Sequence, residues 1–324
     1  MIPYGMGALL YAPLTNRFSY RRILATSLFL YSIASWLCAS SNSLNTILLA
    51  RMGAGITGAS AIPLGLMLIG DFFEREVRGR LVGLFFGCSF FASLAGIILT
   101  GIADWRWLFY VPSVLALITA ASFVLYPSSF LRKKHEAAVN YLKVFTDERI
   151  RNIFIFIFLI SFLYHAVHKW FGVYLSEIYN CDKFTISLFF VFMAVGGFAG
   201  QQIGGWISDK KGRLLSCYVG IAGLATGALL LYGHYALFVL AIILGLFSMS
   251  WTIGHNGIST VLTDFPNADR PIIASLNSSV RFISGGIGFL VSMHFVKHGF
   301  NTLFLVAGIF MVALSFMISK LIPK

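Results

Sequence analysis

The chain has 324 residues, of which 58% are hydrophobic and only 11% are charged. Soluble domains carry about 25% charged residues, so this composition excludes a water-soluble globular protein and predicts an integral membrane protein. The net charge of +12 would suggest a nucleic-acid partner in a soluble protein. Basic residues collect in the cytoplasmic loops of membrane proteins, however, and we therefore expect no nucleic-acid partner.

Apolar runs along the chain predict an all-α membrane protein with eleven transmembrane helices. A spanning helix needs about 20 apolar residues. The one long polar connection, 127–151, is predicted to link an N-terminal bundle (1–126) to a C-terminal bundle (152–324). The predicted spans are 1–15, 22–40, 44–70, 81–102, 107–126, 152–177, 184–207, 214–232, 237–262, 272–296 and 301–319.

The distribution of Lys and Arg predicts the orientation of these spans, because cytoplasmic loops are enriched in both residues. With the N-terminus outside, most basic loop residues fall on the cytoplasmic side, and the outer loops hold Arg106, Lys183 and Lys297. We therefore expect a multi-pass protein of the cell inner (plasma) membrane with a cytoplasmic C-terminus.

Two loop motifs recur at one offset of 193 residues, which indicates an internal repeat. This offset aligns Asn16 with Asp209 and Asp71 with Asp264. Because the copies have the same predicted orientation, the two halves would be related by an axis along the membrane normal.

The second copy of the first motif, GGWISDKKGR, resembles a loop of the major facilitator superfamily of secondary transporters. That family carries G-x-x-x-D-[RK]-x-G-[RK]-[RK] between the second and third helices of each half. The residues of this sequence that match the pattern are Gly205, Asp209, Lys210, Gly212 and Arg213.

Two further stretches carry the same resemblance. Arg51 and Gly55 match the R-x-x-x-G signature of the family's fourth helix, and 62–87 with 104–111 are similar to bacterial efflux-type members. The resemblance implies two pseudo-symmetric helical bundles with twelve helices, so this chain would lack the first helix.

The first copy, YAPLTNRFSYRR, departs from the family pattern. Arg17 and Arg21 match it, but Asn16 and Tyr20 stand where Asp and Arg are expected. The full set of charges is therefore expected only in the second half.

The physical chemistry of the second copy predicts a latch on the cytoplasmic side. Asp209 could lie at the N-terminus of a neighbouring helix, where the helix dipole favours an anion, and Gly212 could adopt positive φ in a tight turn. Arg213 could reach Asp264 or Asp71. The alternative is a solvated, positively charged loop. The predicted gating residues are Asn16, Arg17, Arg21, Asp71, Asp209, Lys210, Gly212, Arg213 and Asp264.

Polar residues inside the predicted spans are basic or potentially basic, and such residues are functional candidates. The resemblance implies that the fourth, seventh and tenth helices line a central cavity. An electropositive cavity would bind an anionic substrate, and its histidines could carry protons. Alternatively, Lys169 reaches outward and the histidines bond across helices. The candidates are Arg51, His165, His168, Lys169, His255 and Arg281.

These features favour a secondary active transporter of a small solute, with antiport or symport left open. The substrate would be a drug-like molecule or metabolite, or alternatively an organic anion, and the coupling ion is expected to be the proton. The second hypothesis is a truncated, non-transporting remnant.

Enzyme motifs such as HExxH, GxSxG and the P-loop do not occur. We expect no enzymatic activity, no cofactor, no metal site and a monomer in the lipid bilayer.

Overall fold

The described chain is helical throughout. A computed structural model describes residues 1–125, 140–141, 146–265 and 270–321, and within these ranges no β-strand occurs. The first half contains α1 (Ile2–Ala8), α2 (Tyr11–Arg17), α3 (Tyr20–Ser40), α4 (Leu44–Gly58), α5 (Ala61–Phe72), α6 (Arg75–Ile102) and α7 (Trp107–Leu125). The second half contains α8 (Glu148–His168), α9 (Phe171–Tyr179), α10 (Lys183–Lys210), α11 (Arg213–Leu230), α12 (Leu237–Thr263), α13 (Arg270–Val296) and α14 (Phe300–Leu321).

The predicted all-α membrane fold is confirmed. Within the described ranges, 10 helical segments are long and apolar enough to cross a membrane. The predicted first span, 1–15, is instead the pair of short helices α1 and α2, so the count is consistent with eleven predicted spans. Most of the predicted linker 127–151 lies outside the described residues, and the division into bundles 1–126 and 152–324 stays a prediction.

One membrane-spanning segment, Leu44–Phe72, is interrupted between α4 and α5. In lipid, carbonyl groups released by such a break need a partner from the protein. The Tyr11 hydroxyl supplies one, since its single hydrogen is shared between the carbonyl oxygens of Ile56 and Thr57, each at 3.0 Å. The short helix α2 thus satisfies backbone groups at the break.

Local signals explain where several helices begin. Asp147 caps α8 by accepting hydrogen bonds from the backbone N–H groups of Arg149 and Ile150, and Asp182 caps α10 by accepting one from Thr185 at 3.0 Å. The hydrogen bonding with Thr185 also holds the pKa of the exposed Asp182 carboxyl below its ordinary value. Gly212 separates α10 from α11 with φ of +105°, as the sequence predicts.

The chain forms two compact units, each built from three segments. Unit 1 comprises Met1–Asp71, Ala95–Thr146 and Phe265–Ile283, and unit 2 comprises Phe72–Leu94, Asp147–Asp264 and Ser284–Lys324. Unit 1 therefore includes the start of α13 from the second half of the sequence. Unit 2 includes the start of α6 from the first half.

Close packing of α11 on α12 in unit 2 depends on a glycine. A Cβ atom added at Gly220 would lie 2.4 Å from the Cα atom of Gly254, whereas one added at Gly96 in α6 would meet no atom within 4 Å. Such a contact at Gly220 requires the backbones to separate.

We predict that Gly220→Ala lowers the free energy of unfolding by about 1–3 kcal/mol, because the added methyl group overpacks the helix contact. Gly96→Ala is the matched control and should be neutral or stabilising, since alanine is favoured over glycine in a helix by about 0.5–1 kcal/mol. Thermal unfolding of the purified variants in detergent measures both. Equal melting temperatures for the two variants would contradict the close contact.

Candidate functional site at the helix ends

Asp209, at the end of α10, accepts hydrogen bonds near the start of α6 in unit 2. Its Oδ1 and Oδ2 atoms each lie 2.9 Å from a backbone nitrogen, those of Gly79 and Arg80. The side chain is only 2% exposed. Because backbone N–H groups near a helix N-terminus carry partial positive charge, they stabilise a carboxylate removed from water.

Arg213 joins Asp209 to a second carboxylate, that of Asp264 at the end of α12. Its Nη1 atom lies 3.3 Å from Asp209 Oδ1, and its Nε atom lies 3.2 Å from Asp264 Oδ2. Arg213 also donates to the backbone carbonyls of Ser208 and Arg75. The guanidinium therefore connects α10, α12 and the start of α6.

The start of α6 adds arginines to the same two carboxylates. Arg75 and Arg78 contact Asp264 at 3.3 and 3.4 Å, and Arg80 contacts Asp209 at 3.5 Å. Arg78 is 15% exposed, but Arg75 is 71% exposed. We refer to this group as the Asp209–Asp264 cluster. Its members are Arg75, Arg78, Arg80, Asp209, Arg213 and Asp264.

A second group of charges lies in unit 1, which we refer to as the Asp71 cluster (Tyr20, Asp71 and Arg270). Arg270 Nη1, at the start of α13, lies 2.5 Å from Asp71 Oδ1 at the end of α5. The Tyr20 hydroxyl donates to Asp71 Oδ2 at 2.9 Å. The Asp71 side chain is 0% exposed and that of Arg270 is 5% exposed, so the ion pair is buried.

The two clusters occupy equivalent places in the sequence repeat. Asp71 aligns with Asp264, and Tyr20 aligns with Arg213. In each cluster, residues from one half of the sequence contact the start of a helix from the other half. In the first copy, a phenol replaces the guanidinium that joins two carboxylates in the second.

The remaining predicted gating residues lie at the same helix ends but make other contacts. Arg21 donates to the carbonyl oxygens of Phe123 and Val124 at the end of α7, the latter at 2.7 Å. Arg17 and Lys210 are exposed, and Asn16 is half-buried at the end of α2.

Sequence reasoning missed Arg75, Arg78, Arg80, Arg270 and Tyr20. The enrichment of basic residues in cytoplasmic loops is by itself a sufficient reason for the four arginines, and Tyr20 departs from the family pattern. A usable signal was present, since Arg75, Arg78 and Arg80 follow Asp71 within DFFEREVRGR.

Among the predicted cavity residues, His165 and His255 lie beside one indole ring in unit 2. Their ring centroids are 5.8 and 5.7 Å from that of Trp251. Trp251 stacks on Tyr164 at 3.9 Å with an interplanar angle of 4°, and His255 also meets the ring of Phe86 edge-on at 4.3 Å. The assignment of the two histidines to a cavity stays a prediction, and the sequence gives no sign of the aromatic pair beside them.

The tautomer of His165 follows from its hydrogen bond. Nδ1 lies 2.8 Å from the carbonyl oxygen of Ser161, and a carbonyl can only accept, so Nδ1 carries the proton. Nε2 is therefore the nitrogen that would take up a further proton.

The other predicted cavity residues lie in different surroundings. His168 is half-buried and stacks on Tyr164 at 5.0 Å, whereas Lys169, at the end of α8, is exposed. In unit 1, Arg281 is buried and its Nε donates to Asn277 Oδ1 at 2.6 Å. Arg51 is exposed, with its guanidinium 5.3 Å from the centroid of the Phe109 ring.

Comparison with known proteins places the chain among transporters. The family model described as Major Facilitator Superfamily matches residues 1–289. An uncharacterized MFS-type transporter of Bacillus subtilis, YwfA, is 21% identical over 91% of this chain and 74% of its own length. Multidrug resistance protein 3 of Bacillus subtilis is 30% identical, but over only 34% of this chain and 22% of its own length.

The fold is also shared with a solved structure. The crystal structure of the human organic anion transporter MFSD10 (TETRAN) superposes with a TM-score of 0.84 at 15% sequence identity. The match covers 97% of this chain and 82% of the human chain. At this identity the likeness concerns the fold.

We predict that Arg78→Gln destabilises the protein more than Arg75→Gln, although both arginines contact Asp264. Arg78 is mostly buried, and its loss leaves charge-assisted hydrogen bonds unmade at a cost of about 1–3 kcal/mol. The exposed Arg75 pair should contribute less than about 1 kcal/mol. Thermal unfolding at low and high salt measures the difference, and an equal effect of the two substitutions would show that burial does not determine the strength of these contacts.

Proposed function

Because the chain belongs to the Major Facilitator Superfamily, we propose that it is a secondary active transporter that moves a small solute by alternating access. The observation that carries this proposal is the pair of charged clusters at the helix ends. In each, residues from one half of the sequence hold the start of a helix from the other half. Contacts of this kind can be formed in one state of a transport cycle and broken in another.

The proposed motion is a rocking of bundles 1–126 and 152–324 about a central site, with 127–151 as the linker. The Asp209–Asp264 cluster and the Asp71 cluster would be the two latches of the cytoplasmic side. To open that side, Asp209 must leave the N–H groups of Gly79 and Arg80, and Asp71 must leave Arg270. Water has to replace each lost partner, so the opening has a defined electrostatic cost.

For the substrate we propose an organic anion or an amphipathic metabolite or drug. Basic and aromatic side chains support this choice: Arg281 is buried, and His165 and His255 lie beside Trp251. An aromatic face binds flat apolar groups, and a protonated imidazole attracts an anion. One relative of this chain is named multidrug resistance protein 3, which supports the drug class.

Proton coupling is proposed through His165. Uptake of a proton at Nε2 creates a positive charge next to the Trp251 ring, and loss of the proton removes it. A substrate anion held by that charge would therefore be released when the proton leaves. The protein is proposed to act as a monomer in the inner (plasma) membrane with its C-terminus in the cytoplasm.

We predict proton-driven flux of an organic ion in proteoliposomes that contain the full chain. Fluorescein serves as the anionic probe and ethidium as the cationic probe, each followed under an imposed pH gradient. His165→Gln should reduce the gradient-driven flux at least about tenfold, since it removes the proton-accepting nitrogen. The exposed His298→Gln is the matched control and should transport as the unchanged protein does.

The outcomes distinguish the alternatives. Flux that survives a protonophore would contradict proton coupling but not transport. Flux that His165→Gln leaves unchanged would exclude His165 as the proton site. A folded protein that passes neither these two probes nor any member of a wider metabolite panel would support the non-transporting remnant.

We predict that Asp209→Asn loosens the proposed cytoplasmic latch, because the amide removes the negative charge held at the start of α6. The test uses a variant in which the four native cysteines are replaced by serine. In that background a reporter cysteine replaces Ser208, which is 1% exposed. A membrane-impermeant maleimide should label this reporter cysteine slowly when Asp209 is present and faster in the Asp209→Asn variant. A cysteine at the exposed Lys210 is the control for reagent access, and equal labelling of the Ser208→Cys reporter in both backgrounds would contradict the latch.

A further inference from the structure

Two apolar grooves run along the outer face of α3 in unit 1. The first encloses about 450 Å³ and is lined by residues that include Leu14, Phe18, Arg22, Thr26, Leu30 and Val124. The second encloses about 440 Å³ and shares Ala25, Thr26 and Val124 with the first. The grooves are therefore neighbours that meet at Ala25 and Thr26.

The lining of both grooves is open and apolar. Phe18 and Leu30 in the first groove are 43% and 46% exposed, and Phe29 and Leu117 in the second are 48% and 46% exposed. Because α3 is a membrane-spanning helix, these surfaces face hydrocarbon chains. Each groove has the shape and chemistry to accept an extended acyl chain.

The side chain of Arg22 places a positive charge in the lining of the first groove. Arg22 lines it and is exposed, and no described residue forms an ion pair or hydrogen bond with its guanidinium. The neighbouring Arg21 is instead occupied by the carbonyl groups at the end of α7. Arg22 is thus available to a ligand from outside the protein.

The surroundings of Arg22 lack acidic side chains in the sequence. Neither Asp nor Glu occurs in α1 to α4, and none occurs in 105–135, which includes α7. Asp71, which accepts a hydrogen bond from Tyr20 at the start of α3, is buried and paired with Arg270. Arg17 and Arg21 add positive charge at the same helix ends. The local field therefore attracts an anion, and the adjoining apolar grooves favour an anion that carries long chains.

The sequence repeat supplies an internal comparison. The offset of 193 residues aligns Arg22 with Leu215 on α11, which is 44% exposed. The equivalent face of unit 2 therefore presents an apolar residue where α3 presents the cation. A charge-dependent ligand would distinguish the two faces.

We propose that the outer face of α3 binds one anionic phospholipid, with its phosphate on Arg22 and one acyl chain in each groove. By the predicted orientation, this lipid belongs to the cytoplasmic leaflet. Because the first groove is formed by α2, α3, the end of α7 and Thr57 of α4, the lipid would hold these helices together. The proposal requires the membrane fold but not transport.

The test uses the purified full chain in detergent. Phosphatidylglycerol should be retained in native mass spectrometry and should raise the melting temperature, whereas phosphatidylcholine should do so much more weakly. Arg22→Gln should weaken phosphatidylglycerol binding at least about tenfold, and Arg22→Lys, which keeps the charge, should retain most of it. Arg151→Gln is the matched control, since it removes an exposed arginine near the start of α8.

Further arms separate the headgroup from the chains. Thr26→Trp, which fills the place where the grooves meet, should weaken binding with the headgroup site intact, and lysophosphatidylglycerol should bind less tightly than the two-chain lipid. Equal binding of phosphatidylglycerol to the Arg22→Gln and Arg151→Gln variants would overturn the proposal. Stabilisation by inorganic phosphate that equals that by phosphatidylglycerol would also overturn it, because it would identify a site for a free anion.

Discussion

In the part of the chain that the structure describes, the buried carboxylates of Asp71 and Asp209 are held by arginine, tyrosine hydroxyl or backbone N–H groups in place of water. Asp71 and Asp209 are 0% and 2% exposed, and both lie at helix ends rather than within a span. This constraint follows from the cost of an unpaired charge in a medium of low polarity. The buried carboxylates therefore lie at helix ends, where charged contacts link residues from different halves of the sequence, in addition to ring contacts such as that of Phe86 with His255.

Much of this arrangement can be predicted from the sequence because lipid permits few solutions. Backbone groups in hydrocarbon must be satisfied within the chain, so apolar runs become helices and their ends become the places for charge. The repeat offset then indicates that Asp209, Arg213 and Asp264 belong to one charged site. The sequence does not decide whether Arg213 binds Asp264 or Asp71, because that choice depends on which helix ends pack together.

Other features of the site could not be predicted for identifiable reasons. Arg270 resembles any basic residue in a cytoplasmic loop, and only the packed structure gives it Asp71 as a partner. Trp251 and Tyr164 belong to a chain with 16% aromatic residues, in which most such side chains are expected to face lipid. The spacing of four residues predicts that Lys169 shares a helical face with His165. The helix ends at His168, however, and the lysine is exposed.

The hydroxyl of Tyr11 connects α2 to the interruption between α4 and α5. The carbonyl group of Ile56 is bonded to a side chain of α2, and so is that of Thr57, which also accepts from the backbone N–H of Ser60 at 3.4 Å. The hydrogen bonding at the break therefore depends in part on where α2 lies. The other end of α2 carries Asn16 and Arg17. This helix of about two turns therefore connects the N-terminal segment to the interruption of the span, so a displacement of α2 would change the hydrogen bonding at that break.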